Sequence, residues 1–174
     1  DATIFSRLDE EMAALHEAGF AFEIAPGITS ASAGAAIMGA SLTKRGRNKA
    51  YQIITGHDVS GYAEYEWREM ATALANGTLT AAAYMSVRAA PDRAGRLLMH
   101  GAPSHVKVTI AENISRMNER WLVTTLGALP HMMEEAAIKG PAILYLGLAP
   151  HDARFSGHHP AFIEQEAHDA TEQA

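Results

Sequence analysis

Three features of this chain have residue types and spacing suited to chemistry: a basic run, two loops of small residues and several histidines. Lys44-Arg45-Gly46-Arg47-Asn48-Lys49 places four of the fourteen Lys and Arg residues within six positions. Lys44, Arg45 and Arg47 form either a solvated loop or a patch for a discrete polyanionic ligand, because a guanidinium fork meets a carboxylate at two points. Pro26-Gly27-Ile28-Thr29-Ser30-Ala31-Ser32 and Thr55-Gly56-His57 each follow a predicted strand. In open α/β sheets ligands sit at the carboxyl ends of strands, where small residues let backbone amides approach. Close helix packing is the plainer reading of the same small residues. His131 and Glu134, three apart on one predicted helix, either share a metal or are solvated side chains. His151, His158, His159 and His168 follow no known zinc spacing, so no metal site is expected.

Other chemistries are excluded by what is missing. The chain contains no G-x-x-x-x-G-K-[ST], no G-x-G-x-x-G after a strand, no G-x-S-x-G and no H-E-x-x-H. It has no cysteine, which removes disulfides, thiol nucleophiles and iron–sulfur clusters and suits a reducing cytoplasm. Fourteen basic against twenty acidic residues leave a net charge of −6, a poor basis for nucleic-acid binding. No apolar run approaches the length of a membrane-spanning helix, so no membrane partner is expected.

These residues have to be positioned by a core, and 174 residues at 48% hydrophobic content suffice for one. Apolar periodicity predicts helices over residues 7–19, 31–40, 65–74, 91–101 and 130–138. Strands are predicted over 20–25, 50–55, 79–85, 106–111, 121–125 and 142–148. This alternation predicts an α/β fold with a mixed sheet of about five strands and packed helices. Residues 149–174, polar and rich in His and acids, read as a flexible tail. The chain opens Asp-Ala-Thr-Ile-Phe without an initiator Met, and reads like the middle of a longer protein.

Taken in order, the segments resemble the tetrapyrrole (precorrin) methylase family, in particular its uroporphyrinogen-III C-methyltransferase branch. Asp1 to Glu11 resembles the end of G-G-D-P-x-I-F-G-R-G-x-E-E, and Phe22 to Ala31 is similar to F-E-V-V-P-G-I-T-S-A. Leu42-Thr43-Lys44-Arg45 resembles L-T-H-R, Ile54 to His57 I-T-G-H, and Tyr84-Met85 the Y-M-G pair. Ala111-Glu112-Asn113 resembles V-E-N, and Gly140-Pro141-Ala142 resembles S-P-A. The chain departs from the pattern at Ala2, Ser6, Leu8, Lys44, Ser86 and Ile114.

The resemblance implies that residues 1–148 are the carboxyl-terminal domain, with the family's amino-terminal domain outside this chain. It implies methyl transfer from S-adenosylmethionine to a carbon of uroporphyrinogen III, giving precorrin-2, in a cytoplasmic homodimer. Asp1, Ile4, Thr29, Ser30, Met85 and Ile114 match positions that line the donor pocket. Lys44, Arg45 and Arg47 would meet substrate carboxylates, and no catalytic base is assigned. A methylase acting on a later precorrin, or a fragment keeping only the fold and the dimer surface, remains the alternative.

Overall fold

The computed structural model describes residues 1–58 and 61–150, and the backbone of 162–164. Five helices form: α1 (Leu8–Glu17), α2 (Ser30–Ile37), α3 (Trp67–Ala75), α4 (Ala90–Met99) and α5 (Leu129–Glu135). The strands are β1 (Ala50–Thr55), β2 (His57–Asp58), β3 (Gly61–Tyr62), β4 (Leu79–Tyr84), β5 (Lys107–Glu112), β6 (Arg120–Thr125), β7 (Ala142–Leu146) and β8 (Phe162–Glu164). The main sheet runs in the order β1-β4-β7-β5-β6-β8, and β2 pairs with β3 as a separate ribbon. β1 with β4 and β6 with β8 are parallel, whereas β4 with β7, β7 with β5, and β5 with β6 are antiparallel. This is the predicted mixed sheet, with five strands from residues 50–146 and a short edge strand added at 162–164. The flexible tail expected over 149–174 lies mostly outside the described residues.

Successive side chains of the central strands are buried on opposite faces. Ala81, Ala83, Leu144 and Leu146 join Trp67, Met70, Leu97 and Met132 from α3, α4 and α5. Ala82, Ile143 and Tyr145 face the other way, onto Ala31 and Ala35 of α2 and Met38 just after it. The small residues of α2 allow the close approach that its composition implies. A Cβ added at Gly34 would lie 2.2 Å from the Tyr145 hydroxyl, so the helix could not seat here with any larger residue.

The strand expected over Phe20–Ala25 does not form. The segment has no regular secondary structure up to residue 29 and no ladder partner among the described residues, and Phe20, Phe22 and Ile24 are 66%, 41% and 43% exposed. A strand is defined by its neighbour, and among the described residues no sheet edge lies beside this one. α1 buries none of its residues fully, so its predicted apolar stripe is only half covered.

Candidate functional site: a cleft at the carboxyl ends of β1 and β4

A cleft of about 520 Å³ opens where β1 and β4 end and β7 begins. Ser30, His57, Tyr84 and Met85 line one side, and Asn113, Ile114 and the Gly140–Ile143 segment line the other. The parallel β1–β4 pair directs both carboxyl ends to this place, which is where an α/β sheet presents a ligand site.

Its walls are made by tight backbone packing. The Gly56 amide donates to the Tyr84 carbonyl at 2.6 Å, and a Cβ at Gly56 would fall 2.0 Å from the Met85 carbonyl oxygen. Only glycine fits this corner. Met85, Asn113 and Ser115 adopt φ of 49°, 56° and 63°, conformations that side-chain-bearing residues reach at a cost of about 1–3 kcal/mol each. Such strain persists only where the surroundings hold it, and here two of the three residues, Met85 and Asn113, line the cleft from its two sides.

Three interactions fix the elements around the cleft. The Tyr84 hydroxyl accepts the Ala31 amide at 2.9 Å and bonds the Thr29 hydroxyl, which ties the start of α2 to the end of β4. Thr29 is the residue ahead of the helix, but its hydroxyl faces Tyr84 and makes no capping bond. Arg93, 6% exposed, donates to the carbonyls of Thr55 at 2.8 Å and Gly56 at 3.0 Å, which holds the corner that leads to His57. Its guanidinium also lies 5.3 Å from the Tyr65 ring centroid.

The third is Glu112, almost fully buried at the end of β5. One carboxylate oxygen accepts the amides of Lys139 at 2.8 Å and Gly140 at 2.6 Å. The other accepts Arg120 Nε at 2.9 Å and also pairs with an Nη of Arg120, which donates to the Ala136 carbonyl. Burial alone would push this carboxyl up. The Gly140 and Lys139 amides and Arg120 outweigh it and hold the group below the usual carboxylate range. The Glu112 carboxylate thus supports the Gly140–Pro141 wall of the cleft from behind.

Among the described residues no Asp or Glu lines the cleft, whereas Arg88, Arg116 and His57 do. In a chain of net charge −6, this makes the site locally receptive to anions. Met85, Val87, Ile114 and Ile143 supply an apolar surface beside those cations.

Ser30, Met85 and Ile114, three of the residues expected at the donor pocket, line the cleft, and Thr29 adjoins it through Tyr84. Asp1 is placed by a different route: its carboxylate accepts the Gly27 amide at 3.2 Å and the Thr3 amide at 2.8 Å. Ile4 is half-buried, and the ring of the next residue, Phe5, lies 5.5 Å from that of Tyr84. The structure does not bring Lys44, Arg45 and Arg47 to the cleft. They precede β1, at the opposite end of the sheet. His131 pairs with Glu135 at 3.2 Å and not with Glu134. Among the described residues no group of three or more His, Asp or Glu is placed to hold a metal ion.

Arg88, Arg116, Arg93 and the role of Glu112 are not evident from the residues alone. Glu112 and Arg120 carried one legible signal, since opposite charges end two strands joined by a short loop, and they prove to be register partners.

Residues 1–130 match the tetrapyrrole (corrin/porphyrin) methylases as a family. The chain is 36% identical over 148 residues to the siroheme synthase of Gluconacetobacter diazotrophicus, and 35% identical over 147 residues to siroheme synthase 1 of Aeromonas hydrophila. It covers 31% and 30% of those relatives, in each case with 84% of its own length. Among solved structures, uroporphyrin-III C-methyltransferase from Thermus thermophilus, complexed with S-adenosylhomocysteine, superposes with a TM-score of 0.68 at 26% identity. That match covers 84% of this chain and 62% of the other. A cobalt precorrin-4 methyltransferase shares the fold with a TM-score of 0.75 at 22% identity, covering 84% of this chain and 60% of that one. The family match over three quarters of the chain, the relatives above 30% identity and the shared fold lead to one assignment: the chain belongs to the tetrapyrrole (corrin/porphyrin) methylase family.

Proposed function

We propose that this chain is the carboxyl-terminal part of an S-adenosylmethionine-dependent C-methyltransferase that converts uroporphyrinogen III to precorrin-2. The observation that carries the reading is the cleft, an open site in which Met85, Val87, Ile114 and Ile143 lie beside Arg88 and Arg116 and which no carboxylate among the described residues lines. The Thermus relative, whose solved complex contains S-adenosylhomocysteine, supports assigning the donor to it.

The residues present fit that cofactor. Met85 and Ile114 offer the apolar slot an adenine ring takes up, and Ser30 at the start of α2 offers a hydroxyl to its amino-acid end, with Thr29 holding that start against Tyr84. Asp1 and Ile4 belong to the segment that backs this corner. When bound, S-adenosylmethionine supplies an activated sulfonium methyl group. What remains for the protein is placement of an electron-rich pyrrole carbon in line with that methyl group, in a site that excludes water. Arg88 and Arg116 hold the substrate's carboxylates, and the proton lost from the ring passes to a group of the amino-terminal domain.

A second wall is needed, because Met85 is half exposed and Phe22, Ile24 and Ile28 present apolar side chains without cover. We assign these surfaces to the family's amino-terminal domain and to a second protomer of a cytoplasmic homodimer, with residues 1–148 as the carboxyl-terminal domain. No helix among the described residues is long and apolar enough to cross a membrane.

The full-length enzyme, incubated with uroporphyrinogen III and S-adenosylmethionine, is expected to yield the absorbance of a dimethylated product. Methylation of a later precorrin, with uroporphyrinogen III untouched, would overturn the substrate assignment and leave the donor assignment standing.

A further inference from the structure

The basic run does not serve the cleft, yet it is not isolated in space. At the opposite end of the sheet, a groove of about 580 Å³ lies between the starts of β4 and β5 and the end of β7. Arg47 from the run lines this groove together with His105 and Lys107. The Arg47 guanidinium lies over Gly77 on its wall, where an added Cβ would come within 3.0–3.5 Å of the side chain. Among the described residues no Asp or Glu lines the groove. Among the described residues none of Arg47, His105 and Lys107 is paired with a carboxylate.

The charge pattern of the chain explains why. No acidic residue occurs in 24–57, 70–91, 93–111 or 136–150, which contain every described residue that lines this groove. In an acidic protein, Arg47 and Lys107 therefore share one concave surface with no carboxylate partner among the described residues. Like charges held together repel, and a concave surface of one sign concentrates its field on a bound counter-ion. The volume lies within the range of small-molecule sites.

We propose that this groove is a second ligand site, separate from the cleft, for a small molecule carrying two or more carboxylate or phosphate groups. Arg47 and Lys107 clamp the ligand from two sides, and His105 adds a third donor. The proposal does not depend on the chemistry of the cleft.

Calorimetric titration of the whole chain at low ionic strength tests it, with inorganic pyrophosphate and citrate as probes. Saturable binding to at least one probe is expected, weakened about tenfold or more by Arg47→Ala and by Lys107→Ala, since charge-assisted contacts are the strong ones. Arg116→Ala, in the cleft, should leave it unchanged, and added salt should weaken it. The tighter probe identifies phosphate or carboxylate as the natural group. Absence of saturable binding overturns the proposal. So does binding lost on Arg116→Ala but kept on Arg47→Ala. An equal loss on Lys44→Ala, outside the groove, would mean diffuse attraction and also overturn it.

Discussion

The Glu112 carboxylate accepts the backbone amide of Gly140 at 2.6 Å, joining the end of β5 to the loop that forms one wall of the cleft. A Cβ at Gly140 would fall 2.3 Å from Asn113 Oδ1, so the loop is pressed against the residue next to Glu112 as well. One buried anion therefore sets the position of Pro141 and Ala142, both of which line the site.

Glu112→Gln keeps an acceptor for the two amides but turns an N–H toward the Arg120 donors. Losing a charge-assisted contact costs about 1.5–3 kcal/mol, so unfolding by urea should begin at clearly lower concentration. Binding of S-adenosylhomocysteine should weaken, whereas Glu134→Gln, at an exposed position of α5, should change neither.

The same carboxylate makes stability pH-dependent. Its folded pKa lies below the unfolded value of about 4.3. A group lowered on folding stabilises above the unfolded pKa and loses that contribution as pH falls through the folded one. Melting temperature should therefore decline below about pH 4.3 more steeply in the wild type than in Glu112→Gln. Parallel curves would show that Glu112 does not titrate as described.

Tyr84→Phe removes the hydroxyl that accepts the Ala31 amide and bonds Thr29. A net loss of about 1 kcal/mol is expected, with faster hydrogen exchange at Ala31 as its local sign. Unchanged exchange there would mean that the start of α2 is held by something else.

Gly34→Ala places a methyl group 2.2 Å from the Tyr145 hydroxyl. Overpacking of this kind costs about 1–3 kcal/mol, read as a lower melting temperature. Gly95→Ala, where an added Cβ meets nothing within 4 Å, should leave stability level or raise it slightly, as helix propensity favours alanine.

Much of the architecture was legible from the residues, for reasons that also mark the limits. Apolar runs such as Ala142–Leu146 and punctuation such as Asn76-Gly77 report local physics, and those elements form where they were expected. Phe20–Ala25 has the composition of a strand, but pairing is not a local property, and among the described residues no partner stands beside it. Ser30, Met85 and Ile114 could be placed through motif resemblance. Arg88 and Arg116 could not, because their role arises from which loops the fold brings to one cleft. The basic run was conspicuous in sequence, yet composition carries no information about which end of the sheet it occupies.

If the cleft at the ends of β1 and β4 receives the methyl donor, that ligand perturbs the residues that line it. Backbone amide shifts during titration of this chain with S-adenosylhomocysteine are the measurement. Because the cleft is open to solvent, with Met85 half exposed, a dissociation constant weaker than about 10 μM is predicted, less than roughly 7 kcal/mol of binding free energy. The shifts should concentrate at Ser30, Met85 and Ile114 and leave Arg47 and Lys107 unmoved. Saturable binding whose shifts cluster elsewhere, or no binding at millimolar ligand, would contradict that placement of the donor.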